Sequence, residues 1–115
     1  TRIELRSPDS AANPYLTIAL CLAAGLDGIR NKITPPENIQ KNIFHMTEEE
    51  KKQLNIKSLP TNLYDAVCAM EKDDFIHEVL GEHISSVYID SKKKEWDRYC
   101  RAVTEWEVEE YLDKI

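Results

Sequence analysis

The sequence predicts a mostly α-helical chain in which one N-terminal β-strand is followed by five or six helices. Three observations lead to this fold class. Polar and apolar residues alternate strictly near the N-terminus, which is typical of a half-buried strand. Apolar residues recur at helical spacing over most of the remaining chain, and helix-capping residues precede several of these stretches.

The strand is predicted within residues 1–9, together with the turn that ends it. Arg2, Glu4 and Arg6 fall on one face of such a strand, because residues two apart in a strand face the same way. The Ser-Pro-Asp stretch that follows ends it. A single strand needs partners for its backbone donors and acceptors. We therefore expect the chain to be a piece of a longer protein, with those partners in further sequence or in another subunit.

A long buried helix is predicted over residues 13–33. Asn13 and Pro14 have the residue types of an N-cap and of a first helical position. The stretch from Tyr15 to Leu26 is apolar nearly all round, which is typical of a helix that is buried on most sides. The same stretch is shorter than the ~20 residues of a membrane span, so we expect no membrane segment.

Residues 34–46 are predicted to form a loop, and residues 47–115 a helical region. Two consecutive prolines exclude a helix from the loop. In the helical region, capping boxes begin at Thr47 and Thr104. The other predicted boundaries are an N-cap at Thr61, an N-cap at Asp73 or Asp74, a helix end at Gly81 and a long helix from about Glu82 to Val103.

Charge and composition exclude several classes of function. The 115 residues fit one domain. The formal net charge of −6 repels phosphate backbones, so we expect no binding to nucleic acid. Three scattered cysteines and three histidines without ligand spacing predict reduced thiols in a cytoplasmic protein and no zinc site. These residues are Cys21, Cys68, Cys100, His45, His77 and His83.

The Arg2, Glu4 and Arg6 side chains are the main candidates for chemistry. A guanidinium group can hold a carboxylate or a phosphate with two hydrogen bonds, and a carboxylate can bind Mg²⁺ or Mn²⁺. The alternative is a solvent-exposed strand whose opposite charges only attract one another, and the pattern alone favours that alternative because its spacing is short and weakly specific.

Several longer motifs resemble the C-terminal part of glutamine synthetase of type I, the bacterial-style form, and the resemblance covers essentially the whole chain. The most specific block is the run from Arg2 to Asp9. The other matching stretches are Ala11 to Tyr15, Ala24 to Ile29, Lys41 to Ile43, Leu59-Pro60, Leu80-Gly81, Glu95 to Asp97, Thr104 to Glu107 and Tyr111-Leu112.

This resemblance implies an ATP-dependent ligase that joins ammonia to L-glutamate through γ-glutamyl phosphate. In the family pattern R-x-E-x-R, Arg2 would contact the ATP phosphates, Glu4 would bind Mg²⁺ or Mn²⁺, and Arg6 would hold glutamate; no residue of the chain is assigned as catalytic. Residues 1–115 would be the C-terminal part of the catalytic domain, and the predicted strand would belong to the catalytic sheet of an α+β enzyme. The chain alone is expected to be inactive.

The resemblance also implies a cytoplasmic homo-oligomer of stacked rings, a dodecamer, whose C-terminal helix contacts a neighbouring subunit. Many type I enzymes are adenylylated on a tyrosine of this loop. The matching position is Phe44, which has no hydroxyl, so no adenylylation is expected there. The alternative function is a non-enzymatic helical interaction module that binds a partner through its aromatic C-terminal residues.

Overall fold

The computed structural model describes residues 1–114, apart from the side chain of Asp113. These residues divide into two compact units, Thr1–Leu59 and the part that begins at Pro60. The α-helices are α1 (Pro14–Arg30), α2 (Glu48–Gln53), α3 (Leu63–Glu71), α4 (Asp74–Cys100) and α5 (Glu105–Tyr111), and two 3₁₀-helices span Ile43–His45 and Leu112–Lys114.

The N-terminal strand predicted from the alternating residues is wrong. Residues 1–7 have no regular secondary structure, and the described part of the chain contains no strand and no sheet. Alternation reports only which face a side chain would occupy, whereas a strand is defined by hydrogen bonds to a neighbouring strand. No other segment of residues 1–114 supplies that neighbour.

Helix α1 begins where the sequence predicts but is not buried. The Asn13 side chain accepts hydrogen bonds from the backbone N–H groups of Tyr15 and Leu16 at 3.0 and 3.3 Å, and Pro14 occupies the first turn. No residue of α1 is buried, and Ile18 and Leu22 remain more than 60% exposed. The apolar composition makes burial favourable, but burial also needs a facing apolar surface, which the described residues of this unit do not provide.

The predicted loop contains one 3₁₀ turn, which Asn42 caps by accepting a hydrogen bond from the backbone N–H of Phe44 at 3.1 Å. The predicted capping box then forms at α2. The hydroxyl of Thr47 accepts from the backbone N–H of Glu50 at 3.2 Å, and the Glu50 carboxylate accepts from the backbone N–H of Thr47 at 2.8 Å. Local hydrogen bonding therefore determines both helix starts.

In the second unit α3 packs against α4. Its apolar core is small: Val67 of α3 and Ile89 of α4 are 4% and 6% exposed. Helix α4 is interrupted at Gly81, whose φ of 77° and ψ of 156° are not helical. The predicted helix end at Gly81 is thus a break between two helical halves of α4. The cap of α3 is Asn62 rather than the predicted Thr61, and Asp73 caps α4.

Helix α5 begins at the second predicted capping box. The Thr104 hydroxyl accepts from the backbone N–H of Glu107 at 3.3 Å, and the Glu107 carboxylate accepts from the backbone N–H of Thr104 at 2.7 Å. Among the described residues, no helix has the length and apolarity needed to cross a membrane.

Candidate functional site

The Arg2, Glu4 and Arg6 side chains contact one another in the N-terminal segment. The Nε and Nη2 atoms of Arg6 lie 2.7 and 2.6 Å from Oε1 of Glu4. The Nη2 atom of Arg2 lies 3.7 Å from Oε2 of Glu4, which is within ion-pair distance but too long for a hydrogen bond. We call these three residues the charged row.

The two arginines of the charged row are differently engaged. Arg6 donates a hydrogen bond from Nε to Oε1 of Glu4 and forms an ion pair with the same oxygen through Nη2, whereas Arg2 makes only the longer ion pair within the described residues. Both guanidinium side chains are more than 85% exposed, and that of Glu4 is about half exposed. The row therefore carries one net positive charge and presents donors to solvent, as binding of an anion requires.

A turn and a helix start follow the charged row directly. The Asp9 carboxylate accepts from the backbone N–H of Ala11 at 2.7 Å, and its carbonyl oxygen accepts from the backbone N–H of Ala12 at 3.0 Å. Asn13 then caps α1. The row is therefore connected to a regular helix through a short segment with defined hydrogen bonds.

The row can supply part of a metal site but not a complete one. Mg²⁺ and Mn²⁺ prefer several oxygen ligands, and Glu4 offers one carboxylate whose two oxygens now face the arginines. Among the side chains that the structure describes, no group of three or more His, Cys, Asp and Glu could hold a metal ion. Glu4 fits the role of one ligand in a set completed by other parts of a larger protein.

An aromatic cluster occupies the second unit. The ring centroids of Tyr64 and Trp96 are 6.2 Å apart, and those of Trp96 and Tyr99 are 5.6 Å apart. A shallow cavity of about 370 Å³ is lined by Trp96, Tyr99, Asn62, Leu63 and Glu95. The three rings therefore contact one another, while Tyr64 and Tyr99 stay about half or more exposed to solvent.

Tyr64 of this cluster and the neighbouring Lys93 both have raised pKa values. A hydrogen bond to the Cys68 side chain is the main cause of the raised pKa of the Tyr64 hydroxyl. The pKa of Lys93 is raised chiefly by its hydrogen bond to Glu71, whose Oε1 atom lies 2.6 Å from the ammonium nitrogen. The contact of Tyr64 with Cys68 lies within α3, whereas the contact of Lys93 with Glu71 joins α4 to α3.

Comparison with known proteins identifies the family. The family model described as "Glutamine synthetase, catalytic domain" matches residues 1–111. The chain is 53% identical over 112 residues to a glutamine synthetase of Methanocaldococcus jannaschii, and 50% identical over 112 residues to that of Methanococcus voltae. Each alignment covers 97% of this chain and 25% of the relative. The chain belongs to the glutamine synthetase catalytic-domain family.

A solved structure described as "Apo GmaS without ligand" has a similar fold, with a TM-score of 0.75 and 39% identity. The alignment covers 95% of this chain and 25% of that one. The chain therefore spans about a quarter of the length of the proteins it matches. Family membership favours the catalytic-domain interpretation of the sequence over a non-enzymatic interaction module.

Sequence reasoning missed one polar cluster. His77 and Ser85 are in contact across the Gly81 break, with Nδ1 of His77 2.9 Å from Oγ of Ser85. Metal-ligand spacing among histidines does not indicate a serine hydroxyl as the partner of an imidazole. The sequence does contain a usable pattern, because His77 and Ser85 each lie four residues from Gly81, the glycine that interrupts α4.

Proposed function

We propose that the complete protein is a type I glutamine synthetase, an ATP-dependent ligase that joins ammonia to L-glutamate through γ-glutamyl phosphate. The observation that carries the proposal is the family match over residues 1–111, which includes the whole charged row. We further propose that this chain is the C-terminal part of the catalytic domain and is inactive alone, because three quarters of each relative's length lies outside the alignments.

The charged row takes part in substrate binding in this proposal. Arg2, whose donors face solvent, binds the phosphates of ATP, and Arg6 binds a carboxylate of glutamate. Both roles use the planar fork of the guanidinium group, which matches phosphate and carboxylate oxygens. Phosphoryl transfer gains from fixed cations that neutralise charge developing on the phosphoryl oxygens, so the positive row supports this assignment.

Glu4 is proposed as one ligand of Mg²⁺ or Mn²⁺. A divalent ion at such a site would neutralise phosphate charge and orient the nucleotide. The Glu4 carboxylate already lies between the two arginines, so it is positioned between the two proposed substrate-binding groups. We also propose a cytoplasmic enzyme that assembles as stacked rings, a dodecamer in the complete protein.

Steady-state kinetics of the full-length protein test the residue roles. Arg6→Ala is expected to raise the KM for glutamate tenfold or more, about 1.4 kcal/mol or more of lost binding energy, with less effect on the KM for ATP. Arg6→Lys keeps the charge but removes the fork, so it should recover only part of the loss. Glu4→Ala should abolish metal-dependent turnover.

Lys94→Ala is the matched control, because Lys94 forms an exposed ion pair with Asp90 on α4 and should change neither constant. Unchanged kinetics in Arg6→Ala and Glu4→Ala would refute the assigned roles while leaving the ligase assignment to be judged from the wild-type reaction. If the purified wild-type protein consumes no ATP with glutamate, ammonia and Mg²⁺ or Mn²⁺, the proposed function itself is refuted.

A further inference from the structure

The cavity beside the aromatic cluster has walls that suit a positively charged ligand. The C-terminal end of α4 supplies Glu95, Trp96 and Tyr99, and the start of α3 supplies Asn62 and Leu63. The ring centroids of Trp96 and Tyr99 lie 5.6 Å apart, with an angle of 34° between the ring planes. Cations are attracted to aromatic ring faces, and most strongly to that of tryptophan. The cavity thus combines two aromatic rings with one acidic residue.

The acidic residue of the cavity already binds a cation of its own chain. The Oε2 atom of Glu95 lies 2.7 Å from Nζ of Lys92, and this ammonium nitrogen also lies 5.7 Å from the centroid of the Tyr88 ring. A carboxylate accepts several hydrogen bonds on its two oxygens, so the bond from Lys92 leaves Glu95 able to accept more. The Glu95 side chain is about half exposed, so a ligand from solvent can reach it.

The two helix ends at the cavity are compatible with positive charge. Tyr99 belongs to the last turn of α4, which ends at Cys100, and the C-terminus of a helix carries partial negative charge. The opposite wall is the positive N-terminal end of α3, but Asp65 places a carboxylate in the first turn of that helix. The Asp65 Oδ2 atom accepts a hydrogen bond from the Asn62 side chain at 2.8 Å. Electrostatics at the cavity therefore favour a cation over an anion.

The residue types of the cavity favour a guanidinium group over an ammonium group. A guanidinium group is planar and weakly hydrated, stacks on aromatic faces, and donates forked hydrogen bonds to a carboxylate. The rings of Trp96 and Tyr99 and the carboxylate of Glu95 offer both kinds of contact. The volume of about 370 Å³ lies within the usual range of small-molecule sites, about 300–1,000 Å³.

We propose that this cavity binds a small organic cation that carries a guanidinium group. The guanidinium plane stacks on the ring of Trp96 and donates hydrogen bonds to Glu95, while the apolar stem of the ligand contacts Leu63 and Tyr99. The proposal does not depend on the ligase assignment, because every residue that it uses lies outside the charged row.

Saturation-transfer NMR on the full-length protein tests this site, with n-butylguanidinium as the probe. The neutral n-butylurea has nearly the same shape, and neither compound carries the carboxylate that a glutamate site would recognise. The cation should bind about fivefold or more tightly than the urea, because a ring contact and an ion pair both act on its charge. Trp96→Leu and Glu95→Gln should each weaken binding of the cation by about two- to fivefold. Glu95→Gln should leave binding of the urea unchanged.

Two substitutions outside the cavity are the matched controls. Trp106→Leu removes a tryptophan that is 62% exposed, and Glu82→Gln removes an exposed carboxylate of α4; both should keep the wild-type affinity for the cation. Equal affinities for the cation and the urea, or an affinity for the cation that neither Trp96→Leu nor Glu95→Gln lowers, would overturn the proposal. If Trp96→Leu fails to fold, Glu95→Gln decides alone, because its side chain is exposed.

Discussion

The break in α4 gives the sharpest prediction for the stability of the second unit. With φ at 77° and ψ at 156°, Gly81 has a backbone conformation that is essentially restricted to glycine. A Cβ atom built at this position meets no heavy atom within 4 Å. Gly81→Ala therefore introduces backbone strain without a steric clash.

The expected cost of Gly81→Ala is about 1–3 kcal/mol, the usual range for a side chain forced into such a conformation. This corresponds to about 5–150-fold in a local opening equilibrium. The loss should be confined to the α3–α4 junction, because the strain is released when the break opens. Protection of residues 72–90 against hydrogen exchange in the full-length protein measures this loss directly.

Gly25 and Gly28 of α1 are the matched controls, because a Cβ atom at either position also meets nothing within 4 Å and neither has a positive φ. Alanine there should strengthen the helix by up to about 1 kcal/mol, since glycine is the weaker helix former. The same substitution is thus expected to have opposite signs at Gly81 and Gly25. Unchanged or increased protection around residue 81 in Gly81→Ala would refute this reasoning.

Three further predictions concern other parts of the chain. The pKa of Glu107 is lowered chiefly by the hydrogen bond that its carboxylate accepts from the Thr104 backbone. This interaction therefore stabilises α5 above the ordinary pKa of the carboxyl group, and the stabilisation is lost as the pH falls through the lowered pKa. Glu107→Gln should remove this pH dependence from the hydrogen exchange of α5. Ile89→Ala should destabilise the second unit by about 2–5 kcal/mol in denaturant unfolding, whereas Val87→Ala, at a position 56% exposed, should have little effect. Treatment with the adenylylating enzyme of type I relatives should leave the wild-type loop unlabelled, and label on the peptide that contains Phe44 would contradict this.

Features that depend on neighbouring residues were predicted well from the sequence. The caps at Asn13, Thr47 and Thr104 each form with a group two or three residues away, so the residue types and their spacing carry the necessary information. The cap of α3 is one residue later than predicted, at Asn62. Its side chain accepts from the backbone N–H of Asp65 at 2.8 Å, whereas Thr61 donates to the Asp65 side chain at 3.0 Å.

Features that depend on distant partners were predicted poorly. A strand requires a second strand, and burial of α1 requires a facing apolar surface; neither partner can be derived from the pattern of the segment itself. The contact between His77 and Ser85 depends on the unusual backbone of Gly81, which the sequence indicated only as a helix end. In each case the residue types alone do not specify the group that they contact.

The energetics of the charged row are compatible with its proposed role in binding. Ion pairs between solvent-exposed side chains contribute little net stability, because water screens them and ordering long side chains costs entropy. The contacts of Arg2 and Arg6 with Glu4 are of this exposed kind, so a phosphate or carboxylate could replace Glu4 as a partner of either arginine at small cost. A metal ion bound to Glu4 would then neutralise its carboxylate in place of the displaced arginine. Because these exchanges keep opposite charges paired throughout, a row that is weak as a structural element is well suited to receive charged substrates.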